Sequence, residues 1–310
     1  MKKVLAIILM VTMLLLNGAA LAETPVVVAT SFPCYDLVRQ VLGEHGEVRL
    51  LIRPGTEVHS YEPSPSDILS IGEAEVFVYV GGESDAWVED ILSSLGQEIP
   101  RTILLMDSVE LLESEHHHAE ADHDHQHEEH DHESLEMDEH IWTSPKNALL
   151  MLEMVVDVLC QEMPEFEEDF RANGERYAAE IEAIDRELTG IIEEGTRRKV
   201  IFADRFPFLY LAHDYDLAYD AAFNSCTTET EPSAQKMVEL IEEIVTEKIP
   251  VVYTIEMSNR KIAKTIAEET GVEILSLHSI QTVTQQEFDR GETYVTLMRK
   301  NLDALRKGLS

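Results

Sequence analysis

Residues 164–194 read PEFEEDFRANGERYAAEIEAIDRELTGIIEE. Phe166, Phe170, Tyr177, Ile181, Ile184, Leu188 and Ile191 recur at steps of three and four, with a single step of seven between Phe170 and Tyr177. That spacing predicts one apolar stripe on an otherwise charged helix, and Gly195 ends it. About 30 residues at 1.5 Å each make a rod of roughly 45 Å, enough to run the length of two lobes. What lies on either side of the rod decides the fold.

Four short β-branched runs precede it, at 26–31, 48–53, 76–81 and 102–106. Four more follow, at 199–204, 217–223, 251–255 and 272–277. Each is bounded by polar or turn residues, as buried parallel strands are. The segments between them are long enough for crossover helices. The expected fold class is therefore α/β: two lobes, each with a four-stranded parallel sheet, joined by one long helix. The expected boundaries are 23–163 for the first lobe, 164–196 for the linking helix and 197–310 for the second lobe. A chain of 310 residues is long enough for one or two cores. No strict internal repeat relates the two halves.

The chain opens with Lys2 and Lys3, an apolar run 4–16, then Ala20-Leu21-Ala22. This basic, apolar, small-x-small layout predicts an export signal over residues 1–22. The apolar run is short for a membrane span. No cysteine stands near the expected cut, so no lipid-anchor site is expected. The mature protein is expected to be exported, in a periplasm or at a cell surface.

Sixty Asp and Glu face 24 Lys and Arg, a formal charge of −36; without Lys2 and Lys3 it is −38. Such a field repels nucleic acid and anionic lipid and attracts cations. Cys34, Cys160 and Cys226 form no CxxC pair. Their spacing permits one disulfide without choosing it, and isolated buried thiols are the favoured expectation.

Residues 114–133, SEHHHAEADHDHQHEEHDHE, hold eight of the 13 histidines. Without apolar periodicity they cannot build a core, and a disordered loop is expected. Imidazole and carboxylate suit borderline divalent metals. The loop therefore reads as a multi-site collector, too loose to be the specific site.

Four other residues make a sharper set. His59 lies in RPGTEVHSYEPSPSD (53–67), after the run at 48–53 and before an expected cap, Ser64-Pro65 with Asp67 three residues on. His140 lies in MDEHIWTSPKNA (137–148), where Ser144-Pro145 again reads as a cap and helix start. Asp204, in VIFADRFPF (200–208), stands where a strand runs out, and His278, in ILSLHS (274–279), directly follows another. All four are expected at the carboxyl ends of strands, where open α/β sheets bind ligands, two from each lobe. Three histidines and one carboxylate form a closed set suited to tetrahedral Zn²⁺. A Mn²⁺ or Ca²⁺ site would call for more oxygen.

RPGTEVHSYEPSPSD, DEHIWTSPKNA and GETYVTLMRKNLDAL (291–305) together resemble the zinc/manganese solute-binding proteins of ABC transporters, a family with lipoprotein and adhesin-like members. The resemblance covers nearly the whole mature chain. The acidic histidine loop before the second element resembles the zinc-importing branch. The resemblance implies two Rossmann-like lobes joined by one long helix, a metal between them, His59 and His140 as ligands, and an ABC permease as partner. The family commonly has His or Glu at the place read here as Asp204, and often Asp where His278 stands. Glu229 and Glu231 are fallback oxygen donors or precede the helix near Pro232. Cys226 is a possible soft ligand for which a structural thiol is favoured, and His213 reads as a helix-surface residue.

The expected function is thus a Zn²⁺ receptor for a membrane permease, monomeric and not an enzyme. The competing expectations are a Mn²⁺ receptor, an exported metal buffer or adhesin built around the histidine loop, and a zinc hydrolase. A hydrolase would need an open coordination position and a base such as Glu57, but no HExxH motif is present. No phosphate-binding glycine loop, trusted Ser/His/Asp order or basic patch points to nucleotide, covalent catalysis or nucleic acid.

Overall fold

The computed structural model describes residues 24–96, 99–114, 137–223 and 232–310. The expected signal, most of the histidine loop, Cys226, Glu229 and Glu231 lie outside the described residues. The first sheet holds β1 (Val26–Ala29), β2 (Glu47–Leu50), β3 (Val76–Tyr79) and β4 (Arg101–Leu104). The second holds β5 (Lys199–Phe202), β6 (Ala218–Ala221), β7 (Val251–Thr254) and β8 (Glu273–Ser276). The orders are β2-β1-β3-β4 and β6-β5-β7-β8, so the two halves repeat one topology without repeating a sequence. Every pairing among these eight strands is parallel.

The helices are α1 (Phe32–Leu42), α2 (Pro65–Gly72), α3 (Trp87–Leu95), α4 (Pro145–Glu162), α5 (Glu167–Glu194), α6 (Leu209–Asp214), α7 (Ala234–Glu247), α8 (Lys261–Thr270), α9 (Gln285–Asp289) and α10 (Tyr294–Leu309). The rod expected from 164 begins as a 3-10 turn, Pro164–Phe166, and becomes α5 at Glu167. Its 28 residues span about 42 Å at the standard rise. The step of seven in its stripe is occupied by buried Gly174. A Cβ there would stand 2.5 Å from Val156 Cγ2, so the missing side chain lets α5 close on α4.

Period-two alternation divides each sheet between two layers. Val27 and Ala29 point into a central core, while Val28 joins an outer cluster with Phe77, Ile71 and Val88. Val200 and Phe202 enter the same central core; Ile201 and Ala203 join a second outer cluster. One continuous core thus runs through both lobes. Tyr177, Ile181, Ile184 and Leu188 of α5 form its spine, and α5 packs on α4, α1 and α10. Among the described residues no helix is long and apolar enough to cross a membrane. Cys34 and Cys160 are buried free thiols, and burial foremost pushes Cys34 up to about 12.

Candidate metal centre

Strand order reverses between β1 and β3, and a doubly wound sheet opens a crevice at the strand ends there. Three chain segments meet at that crevice. The loop after β2 turns at Val58–Tyr61, with Tyr61 N–H bonded to Val58 O at 3.1 Å, and carries His59. The turn Glu83–Asp85 after β3 carries Ser84. The 3-10 turn Ile141–Thr143 that leads into α4 follows Glu139 and His140.

The caps expected beside the histidines differ. At Ser64 the capping box forms: Asp67 Oδ2 accepts the Ser64 N–H at 2.8 Å, and Pro65 opens α2. Pro145 likewise opens α4, but the Ser144 hydroxyl does not cap it. It donates to Asp214 Oδ2 of the second lobe, a charge-assisted bond that outcompetes the local one.

His59 and His140 are brought together, their ring centroids 5.7 Å apart. With Glu139 they form a group whose ligand atoms lie within 4.8 Å of one another. Asp138 Oδ1 is 3.1 Å from His140 Nδ1 and accepts the His140 N–H at 2.8 Å. Burial raises the Asp138 carboxyl, but His140 outweighs it and the group lies below its ordinary value. Beside it, Asp85 accepts the N–H groups of Val80 and Gly81; burial, against those amides, leaves it raised to about 6.

Among the described residues, Asp204 and His278 do not join that group. Asp204 follows β5; Oδ1 accepts the Arg205 N–H at 3.0 Å, while Oδ2 is buried with no hydrogen-bond partner. His278 follows β8 between two carboxylates, Glu256 at 3.7 Å from Nδ1 and Glu287 at 3.8 Å from Nε2. Its Nδ1 accepts the Ile280 N–H at 2.9 Å, so in the neutral ring the proton sits on Nε2. His213 lies exposed on α6, as expected. Glu57 faces Arg205 across the cleft, 3.7 Å from Nη1.

Gln281 was not foreseen from the sequence. Its Nε2 lies 3.2 Å from His59 Nε2, across 222 residues of chain. The loop that bears it is anchored on both sides: Trp142 Nε1–H donates to Ser279 O at 2.7 Å, the Ser279 N–H to Glu256 Oε2 at 2.6 Å, and the Gly55 N–H to Val283 O at 2.8 Å. Ile280, buried, holds a left-handed φ of 66°, costly for a β-branched residue. A cavity of about 60 Å³ separates the lobes, lined by Glu57, His59, Arg205, Glu256, Ser279 and Gln281.

Because Gln281 donates to the nitrogen that His59 would offer a metal, Gln281→Ala is expected to tighten Zn²⁺ binding. A net neutral hydrogen bond of ~0.5–1.5 kcal/mol corresponds to about 2–10-fold. A competition titration against a chromogenic chelator measures it; weaker binding would mean that the amide oxygen is itself a ligand.

Two parallel-sheet lobes, with paired histidines at the strand ends of the first and a cleft between them, make this a two-lobed α/β cleft fold. The model for the zinc-uptake complex component A, periplasmic, matches residues 27–308, and the chain belongs to that family. A zinc-binding protein AdcA of Streptococcus pyogenes is 33% identical over 92% of this chain and 56% of its own length. The chain thus spans about half the length of the streptococcal relatives it matches. The high-affinity zinc uptake system protein ZnuA of Bacillus subtilis is 32% identical over 91% of this chain and 87% of that protein. The Zn(II)-bound ZnuA-like domain of Streptococcus pneumoniae AdcA superimposes with a TM-score of 0.76 at 29% identity, covering 93% of this chain and 99% of that one.

Proposed function

We propose that this chain is an extracytoplasmic solute-binding protein that holds Zn²⁺ between its lobes and delivers it to the membrane permease of an ABC importer. The carrying observation is the His59–His140 pair, each ring with a carboxylate beside Nδ1, the setting in which imidazole binds zinc through Nε2. His59 and His140 are the nitrogen donors from the lobe at 23–163. Asp204 and His278, from the lobe at 197–310, complete the shell. The buried, unbonded Oδ2 of Asp204 supports its part; His278 must move its ring proton to Nδ1 or turn its ring to take part. Three imidazoles and one carboxylate favour Zn²⁺ over Mn²⁺. This is a binding role with the ion as cargo, and the protein acts as a monomer.

The test is calorimetric titration of the mature protein, with and without residues 114–133, repeated with Mn²⁺. One tight Zn²⁺ site that survives the deletion, with weak Mn²⁺ binding, is the expected result. Loss of all tight binding with the loop would sink the cleft site and put a metal buffer in its place. Delivery is tested by zinc uptake into vesicles bearing the permease, which should require the loaded protein.

A further inference from the structure

Asp138 and Glu139 are neighbours in sequence, and each serves a different histidine. Asp138 holds His140 at Nδ1, as described above. Glu139 Oε1 lies 3.3 Å from His59 Nδ1, and its Oε2 accepts the Ser84 N–H at 2.8 Å. The Ser84 hydroxyl donates to Glu139 Oε1 and also lies 2.8 Å from His59 Nδ1. A serine hydroxyl has one proton. If Ser84 gives that proton to the carboxylate, His59 Nδ1 must be the donor in their contact. The same tautomer leaves a lone pair on His59 Nε2, where the Gln281 amide donates.

The backbone makes room for this carboxylate. Gly82 has a φ of 78°, and a Cβ there would fall 2.6 Å from Glu139 Cβ and 2.7 Å from Glu139 Oε2. Glu139 is 7% exposed, and a carboxylate so buried is costly unless fully bonded. Both of its oxygens are engaged by Ser84 and His59, so it sits as a hydrogen-bond acceptor of the ring behind the metal face.

We propose that Asp138 and Glu139 are a pair of positioning residues, one for each histidine, with Ser84 and the Gly82 gap holding the second. Each carboxylate fixes its ring as the Nδ1–H tautomer, so that both rings present an unprotonated Nε2 to one ion. The assignment rests on the zinc reading of the cleft. It adds that Glu139 orients a ligand and is not one.

The experiment compares the full mature chain with Glu139→Gln, Asp138→Asn and Ser84→Ala. The first readout needs no metal: ¹⁵N shifts of the two rings in the metal-free protein. The wild type should show Nδ1–H rings at both His59 and His140. Glu139→Gln should mix the tautomers at His59 alone, and Asp138→Asn at His140 alone. Loss of such an orienting partner typically weakens metal binding ~10–100-fold; that weakening is expected for both carboxylate variants, with a smaller loss for Ser84→Ala. The melting temperature should stay near wild type, since both substitutions preserve shape.

Unchanged tautomers with unchanged zinc affinity would overturn the proposal. So would a lowered melting temperature with unchanged tautomers, which marks a merely structural role. The Co²⁺ absorption spectrum separates the remaining case: the same band pattern in Glu139→Gln supports positioning, and a changed coordination pattern makes Glu139 a ligand and overturns it. If the wild type binds no Zn²⁺, the receptor reading fails, while the metal-free spectra still decide the tautomer assignment.

Discussion

His140→Ala is expected to abolish tight Zn²⁺ binding. His140 is 3% exposed; its ring sits 5.4 Å from the Trp142 ring and 5.7 Å from that of His59, and is one of two nitrogen donors in the only metal-type group among the described residues. Truncation removes that donor and strands the Asp138 carboxylate, which then lacks the ring that holds its charge. The loss should exceed the ~100-fold ceiling typical of outer-shell changes. A ligand that binds only the folded state stabilises it by ~4 kcal/mol at a thousand times its Kd. Wild type should therefore melt several degrees higher with excess Zn²⁺, and the variant should not shift at all. A variant that still shows the full Zn²⁺ shift would remove His140 from the site.

Asp36→Ala is expected to cause the largest loss of stability. Asp36 is fully buried in α1. Its Oδ2 accepts the Tyr177 hydroxyl of α5 at 2.5 Å and the Tyr294 N–H of α10 at 2.8 Å. Its Oδ1 accepts Arg39 Nε at 2.8 Å. One carboxylate thus ties together helices from the first lobe, the rod and the second lobe. Alanine leaves two buried donors unpaired at ~1–3 kcal/mol each, about 3–5 kcal/mol with the ion pair included. For a chain of this size that lowers the melting temperature by about 10 °C, measurable by scanning calorimetry. None of the Asp36 partners belongs to the metal centre, so Zn²⁺ affinity should hold. A melting temperature within two degrees of wild type would show that the network carries no such load.

The features that depend on local pattern could be read from the sequence. The eight strands follow from short β-branched runs such as 76–81, and α5 from its stripe, because burial on one face writes a period into the chain. His59 and His140 stood out because each lies between a strand and a Ser-Pro helix start. Ser84 and Gln281 carried no such mark. Ser84 meets Glu139 across 55 residues and Gln281 meets His59 across 222, and no local periodicity encodes either. Glu139 was closer to hand, since a carboxylate next to a ligand histidine is a common partner; but the ring it serves is the distant His59, not its neighbour. Asp204 and His278 follow β5 and β8, where the strand runs predict them, but among the described residues neither joins the His59–His140 group. Their surroundings, an orphaned Oδ2 and two flanking glutamates, follow from packing of the second lobe alone.

The single core that threads both lobes bears on how a loaded molecule differs from an empty one. Where two halves turn on a flexible joint, cargo capture changes the outline of the whole particle. Here Tyr177, Ile181, Ile184 and Leu188 of α5 lie in one interior with residues from both sheets, so the outline is expected to stay the same on loading. Occupancy has to be written in a handful of atoms at the mouth: the Gln281 amide displaced from His59, the strained turn at Ile280, the Arg205–Glu57 contact. X-ray scattering of the two forms should superimpose, while amide exchange in residues 278–283 slows on loading. A partner that tells full from empty must then read that rim by touch, because there is no change of silhouette to see.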